Sequence, residues 1–225
     1  MELIRGAYNL KAGHRGCVAT IGNFDGVHLG HRAILERLRE AGDRLGLPTV
    51  AMSFEPHPLE VFYPEQAPAR LTPLRDKAEL LAAAGVDRFV VLPFRPSLWS
   101  MPPDDFIDEL LLRRLGVQFL IVGDDFRFGR DRAGDFETLR AASNRAGFEL
   151  ERTPTYQVGG ERVSSTRVRR SLETGELDQA RRPIVARRGP RGGRRGHLGD
   201  GVRRPDGRVR RRELPHLPHL ALGGV

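Results

Sequence analysis

Short apolar runs alternating with longer stretches of helical period limit what this chain can fold into. Cys17-Val18-Ala19-Thr20-Ile21 reads as a buried strand ending at Gly22, and a polar loop follows it. Ile34, Leu35, Leu38, Ala41 and Leu45 then share one face of a predicted helix. Thr49–Phe54 is a second strand, Leu74–Ala84 a helix stopped by Gly85, and Arg88–Leu92 a third strand. A helix over Asp104–Leu115 has Pro103 near its start and Gly116 at its end. Val117–Val122 is another apolar strand, Phe136–Ala146 a helix closed by Gly147, and Phe148–Arg152 a short last strand. This alternation implies βαβ units in an α/β fold, with a parallel sheet covered by helices on both faces. Ligands of such sheets sit at the carboxyl ends of the strands, so the loops after Ile21, Phe54 and Val122 are expected to converge on one site.

Charge divides the chain. Its 225 residues carry a formal net charge of +8, which on its face suggests a nucleic-acid partner or an anionic membrane. Residues 181–225 hold 13 arginines against Asp200, Asp206 and Glu213, whereas the first 180 residues carry 24 basic and 26 acidic side chains. The excess therefore belongs to the tail. Cys17 is the single cysteine, which excludes a disulfide-stapled secreted domain. No apolar run approaches the roughly 20 residues of a membrane-spanning helix, and MELIRGAYNL lacks the features of a signal peptide. A cytoplasmic protein without a membrane partner is expected.

The first loop, Gly22-Asn23-Phe24-Asp25-Gly26-Val27-His28-Leu29-Gly30-His31, joins the first strand to the first long helix. Gly22 and Gly26 permit tight turning and close approach of a ligand. His28 and His31 share a face of the helix's first turn, beside its free N–H groups and positive dipole end. Two imidazoles there suit phosphate groups and the charge that develops on them during nucleotidyl transfer. Ordinary structural histidines fit as well. A metal pair fits less well, since Asp25 is the only further ligand in the loop.

Two further loops follow the other strands. Ser53-Phe54-Glu55-Pro56-His57-Pro58-Leu59-Glu60-Val61-Phe62 combines a proline-stiffened, extended backbone with aromatic surface. Gly123-Asp124-Asp125-Phe126-Arg127-Phe128-Gly129 sets two acids at a strand end, where they can bond a ribose or flavin edge, position a magnesium ion, or simply form a turn. Val163-Ser164-Ser165-Thr166-Arg167-Val168-Arg169 then offers three hydroxyls at a helix start, with Arg169 inside the first turn.

The first loop resembles the His-x-Gly-His signature of the nucleotidylyltransferase superfamily. The full string GNFDGVHLGH is similar to the adenylyltransferase module of the prokaryotic bifunctional riboflavin kinase/FAD synthetase family. FEPHP, GDDFRFG, VSSTRVR and the LTPLRDKAELL segment at Leu71–Leu81 occur in that family's order across residues 15–183. The resemblance implies a Rossmann-like nucleotidylyltransferase fold and transfer of AMP from ATP to FMN, giving FAD and pyrophosphate, with Mg²⁺ accompanying ATP. It implies catalytic roles for His28, His31 and Arg169. ATP contacts would fall on Gly22, Asn23, Phe24, Asp25, Gly30, Ser164, Ser165 and Thr166. Flavin contacts would fall on Pro56, His57, Pro58, Phe62, Asp124, Asp125, Phe126 and Phe128. Asp125 stands where some members carry Asn, and Phe106, a further aromatic candidate, lies in a helix where aromatics are ordinarily core. The metal ligands are unassigned. Other His-x-Gly-His nucleotidylyltransferases, or an idle nucleic-acid-binding protein using the basic tail, are the alternatives, and FEPHP and GDDFRFG argue against the former.

The family's riboflavin kinase module normally follows, and nothing resembling it occurs after Arg182-Pro183. The resemblance thus divides the chain into an adenylyltransferase domain at 1–183 and an arginine- and glycine-rich tail at 184–225. Between Ile184 and Arg212, 21 of 29 residues are Arg, Gly, Pro or Ala. Such a segment is expected to be disordered. Codons for those four residues begin with two G/C bases, so a frameshifted reading of G/C-rich DNA is one explanation; an RNA-binding arm and a neutral extension are others.

Overall fold

A computed structural model of the protein describes residues 1–176. The domain boundary at 183 and the tail expectations lie outside the described residues. Six parallel strands form one sheet: β1 (Glu2–Arg5), β2 (Cys17–Ile21), β3 (Thr49–Glu55), β4 (Arg88–Pro93), β5 (Val117–Gly123) and β6 (Glu149–Thr153). Their order is β1-β4-β3-β2-β5-β6, so the winding reverses between β2 and β5. The register there pairs Val18 with Phe119 and Thr20 with Ile121, while Ile21 pairs with Met52 of β3 on the other side. A sheet wound outwards in both directions from one strand opens a crevice beyond that strand's carboxyl end.

Alternation along each strand loads both faces. Cys17, Ala19, Ile21, Val50 and Met52 enter one core, packed against Ile107, Leu111, Leu115 and Leu139. Val18, Ala51, Phe89 and Ile121 enter the other, packed against Leu35, Leu38 and Leu81. The second core is covered by α1 (Leu29–Leu45) and, after the one-turn helix α2 (Pro58–Phe62), by α3 (Leu74–Ala83). Burial drives the Cys17 thiol up to about 12, so it is an inert packing residue.

Several elements depart from the sequence reading. β1 adds an edge strand, too short to show a period. Pro58 occupies the first position of α2, so extended backbone stops at His57, where φ is −62° and ψ 138°. Between β4 and β5, the one-turn helix α4 (Pro96–Trp99) precedes the expected helix. That helix is a short α turn, α5 (Pro103–Asp105), running into a π-helical segment at Phe106–Leu115. Its apolar residues recur at spacings that fit either helix width. It ends at Gly116 with φ 56° and ψ 48°, and α6 (Phe136–Ala146) ends at Gly147 as expected. A small hairpin, β7 (Gln157–Val158) and β8 (Glu161–Arg162), leads into α7 (Ser165–Glu173). No helix among the described residues is long and apolar enough to cross a membrane.

Candidate active site

The first loop is strained where it turns. Phe24 and Val27, both buried, hold φ values of 49° and 37°, which non-glycine residues adopt only when their surroundings force them. His28 caps α1, its Nδ1 accepting the His31 backbone N–H at 3.3 Å. The two imidazoles stack with centroids 3.7 Å apart and planes at 13°, and the Phe24 ring flanks His31 at 5.2 Å. Space at Gly30 is tight: a Cβ there would stand 3.2 Å from the His28 ring.

Burial sets the protonation of the pair. It lowers His28 to about 4 even though Asp25 pulls the other way. His31 is held well below the ordinary value by burial, then by the charges of His28 and Lys77. Both rings are therefore neutral near pH 7. Because Nδ1 of His28 accepts a hydrogen bond, its proton belongs on Nε2, where it can be donated. Among the described residues, the buried Nδ1 of His31 has no hydrogen-bond partner.

Asp25 is the hub of the loop. Its carboxylate accepts the backbone N–H groups of Leu71 and Thr72, at 3.1 and 2.9 Å, and the Thr72 hydroxyl at 3.2 Å. It also pairs with the Arg169 guanidinium, the two side chains being 5% and 13% exposed. Burial pushes the carboxyl up, but those N–H donors and Arg169 outweigh it and hold it below the usual range. Arg169 donates a second bond to the Ala69 carbonyl at 2.7 Å. Ser165 donates to the Asp25 carbonyl at 2.8 Å, and Ser164 caps α7 by accepting the Arg167 N–H. Thr166 is exposed. Ser164, Ser165 and Arg169 thus reach the first loop or the start of α7, and all are engaged with protein atoms.

At the end of β3, His57 caps α2 by accepting the Leu59 N–H at 3.1 Å, while Glu60 accepts the His57 N–H. The peptide between Glu55 and Pro56 is cis. A cleft here is walled by Asp25, Phe54, Glu55 and His57 on the side of the first two loops, and by Arg70, Thr72 and Lys77 opposite. Arg70 is clamped between Glu55 and Glu60. Phe54 continues into a cluster in which Phe62 meets Phe94 at 5.5 Å and Trp99 at 5.3 Å, edge to face. Phe62 is 49% exposed, so the cluster presents a flat apolar surface.

At the end of β5, Asp124 accepts the Thr155 hydroxyl at 2.6 Å and Asp125 pairs with Arg162 of β8. Both acids are exposed. Arg162 lies close enough for its charge to act on His28, which ties this loop to the imidazoles. Phe126 is half-buried over Phe128, but Phe128 sits in the core against Phe106. Asn23 is exposed beside Gly22, its carbonyl accepting from Ser53. Among the described residues, no group of three or more His, Cys, Asp or Glu side chains is arranged to hold a metal.

Sequence reasoning missed Lys77, Arg70, Phe94 and Trp99. Lys77 had a signal. In α3 the buried positions are Lys77 and Leu81, so a lysine occupies an inward place in an apolar stripe.

A sequence profile of the FAD synthetase family matches residues 10–167. A bifunctional riboflavin kinase/FMN adenylyltransferase of Pseudomonas fluorescens is 52% identical over 182 residues, covering 81% of this chain and 58% of that protein. Its namesake from Escherichia coli K12 is 50% identical, covering 79% of this chain and 57% of its own length. The chain therefore spans less than two thirds of the relatives it matches. A crystal structure from Streptococcus pneumoniae, described as a macrolide-efflux protein, superposes with a TM-score of 0.71 at 22% identity, over 81% of this chain and 60% of that one. That likeness concerns the fold alone.

Proposed function

The chain belongs to the FAD synthetase family, and on that premise we propose that it transfers the AMP part of ATP to the phosphate of FMN, releasing FAD and pyrophosphate. The observation that carries this reading is the stacked, neutral His28–His31 pair at the N-terminus of α1, beside the reversal point of the sheet. An FMN phosphate oxygen attacks the α-phosphorus of ATP in line, and the bond from that phosphorus to the bridging oxygen of the β-phosphate breaks. A phosphate monoester is already an anionic nucleophile, so the protein's part is positioning and stabilisation of charge.

His28 Nε2–H and the free N–H groups at the start of α1 supply donors beside the triphosphate. Arg169 uses two of its five N–H donors on Asp25 and Ala69, leaving the rest for phosphate. The Phe54–Phe62–Phe94–Trp99 surface suits a flat heteroaromatic ring, with Pro56 and Pro58 at its edge. Phe126 offers a half-exposed aromatic face at the end of β5, while the buried Phe128 supports it from beneath. Asp124 and Asp125 stand at the same end, facing the hydroxyl-bearing part of a substrate. A cytoplasmic setting belongs to the same reading.

The test is incubation of the protein with ATP, Mg²⁺ and FMN, with products separated by chromatography, repeated with riboflavin in place of FMN. FAD from FMN and no product from riboflavin is the expected pattern. Absence of FAD from the first incubation would refute the proposal.

A further inference from the structure

The cleft between the first loop and α3 holds a cation that, among the described residues, no carboxylate contacts directly. Lys77 is 6% exposed, and among the described residues its ammonium makes no hydrogen bond or ion pair. The neighbouring cations each already have a bonded counter-ion: Arg70 pairs with Glu55 and Glu60, and Arg169 with Asp25. Asp25 is likewise saturated by Arg169, two backbone N–H groups and the Thr72 hydroxyl. The carboxylates of Asp25, Glu55 and Glu60 act on Lys77 through space, but burial outweighs them, and a buried ammonium without a directly bonded partner is a position that an anion from outside would stabilise.

Location narrows the anion. The charge of Lys77 acts on His31 on one side of the cleft and on His57 on the other. It stands between the imidazoles, where nucleotide phosphates belong, and the β3 end, where Phe54 opens into the aromatic surface. A phosphate tethered to a flat ring resting on that surface would lie in this gap. Resting on the reading above, we propose that Lys77 is the docking point and counter-ion of the attacking phosphate of FMN. Two polyanions must meet for the transfer to occur. An ammonium held at their junction offsets the repulsion, and as a compact point charge it contacts either phosphate oxygen without fixing a bidentate geometry.

The experiment uses the full chain and Lys77→Met, which has similar bulk and no charge. Flavin fluorescence gives the affinities for FMN and for riboflavin, which lacks the phosphate; steady-state kinetics give KM for FMN and for ATP. Loss of a charge-assisted contact predicts FMN binding weaker by about tenfold to a hundredfold, with riboflavin affinity and ATP KM within about twofold of wild type. Lys77→Arg should recover part of the FMN affinity. Thermal stability should not fall, because burial costs the ammonium more than the distant carboxylates return.

The proposal is overturned if FMN binding is unchanged, if FMN and riboflavin weaken together, or if the loss appears in ATP KM instead. If Lys77→Met does not fold, Lys77→Gln carries the same expectations. Failure of the parent reading is distinct: wild type would then make no FAD, while the comparison of FMN with riboflavin still reports on Lys77.

Discussion

Removing the Asp25 carboxylate is expected to destabilise the protein before it affects nucleotide binding. The sequence reading placed Asp25 among the ATP contacts, yet its oxygens face inwards, to Leu71, Thr72 and Arg169. Asp25→Ala leaves the Arg169 charge without its counter-ion at a site where the two side chains are 13% and 5% exposed. Removing one member of a buried pair typically costs about 3–5 kcal/mol. At roughly 2–4 °C per kcal/mol for a chain of this size, Tm should fall by about 6–20 °C. Asp25→Asn keeps an acceptor for Thr72 but not the charge, and should fall between. The acid limb gives an independent check. A carboxyl held below its unfolded value of about 3.9 contributes stability that is present above that pH and lost as pH falls through the folded value. Asp25→Ala should therefore show a flatter decline in acid. Thermal unfolding, urea titration from pH 7 to 3, and ATP KM together decide the matter. A Tm within about 2 °C of wild type alongside a raised ATP KM would refute the reasoning and restore Asp25 as a direct ligand.

His31→Ala removes one side chain of the imidazole pair and should lower kcat by about 10²–10³, with the flavin affinity measured by fluorescence unchanged; near-normal turnover contradicts the assignment. His28 titrates at about 4 in the folded protein against roughly 6.5 unfolded. The unfolded state thus takes up a proton first, and stability falls by up to about 1.4 kcal/mol per unit as pH drops from 6.5 towards 4. In urea titrations His28→Asn should lose that slope. Gly30→Ala improves helix propensity, yet its Cβ would stand 3.2 Å from a His28 ring already pinned by its cap bond and its stack. Turnover should drop about tenfold from the displaced imidazole, with Tm little changed, and full activity in that variant would show that the ring is free to move.

The parallel strands and long helices were legible because their signals are local. Cys17–Ile21 and Val117–Val122 are apolar on both faces, and Gly116 and Gly147 close their helices in the left-handed region that glycine favours. The short elements were not. β1 has Ile4 as its one buried residue. In the β7–β8 hairpin the Gly159-Gly160 turn is a real signal, flanked by strands of only two residues. The π-helical width of Phe106–Leu115 is not revealed by the apolar spacing. At the site, the three-residue spacing of His28 and His31 was enough to predict that they meet. Which partner each polar group takes was not readable. Nothing local to Ser165 or Arg169 indicates that both reach back across about 140 residues to Asp25. Lys77 was given no role because only the extent of its helix was read, whereas the fold of α3 turns it inwards.

Neutral imidazoles have a consequence for the reaction's pH dependence. Two imidazolium ions with centroids 3.7 Å apart would repel by about 4.5 kcal/mol even at an effective dielectric of about 20. Burial removes that conflict by keeping both rings uncharged. They then act as fixed N–H dipoles whose protonation stays constant through the neutral range, and their donors need no proton uptake to be ready. Asp25 is equally insensitive there, held below the usual carboxylate range by its N–H donors and Arg169. In the same cleft burial lowers both His57 and Lys77, and the phosphate of FMN has its second ionisation near pH 6. The profile of kcat/KM for FMN should therefore show an acid limb with a pKa of about 6 that belongs to the substrate. A phosphonate analogue of FMN, whose second ionisation is weaker, should move that limb upwards by the difference between the two ionisations. A limb that stays in place with the analogue and shifts instead in His28→Asn would mean that an imidazole titrates during turnover, and would remove the basis for treating the pair as neutral donors.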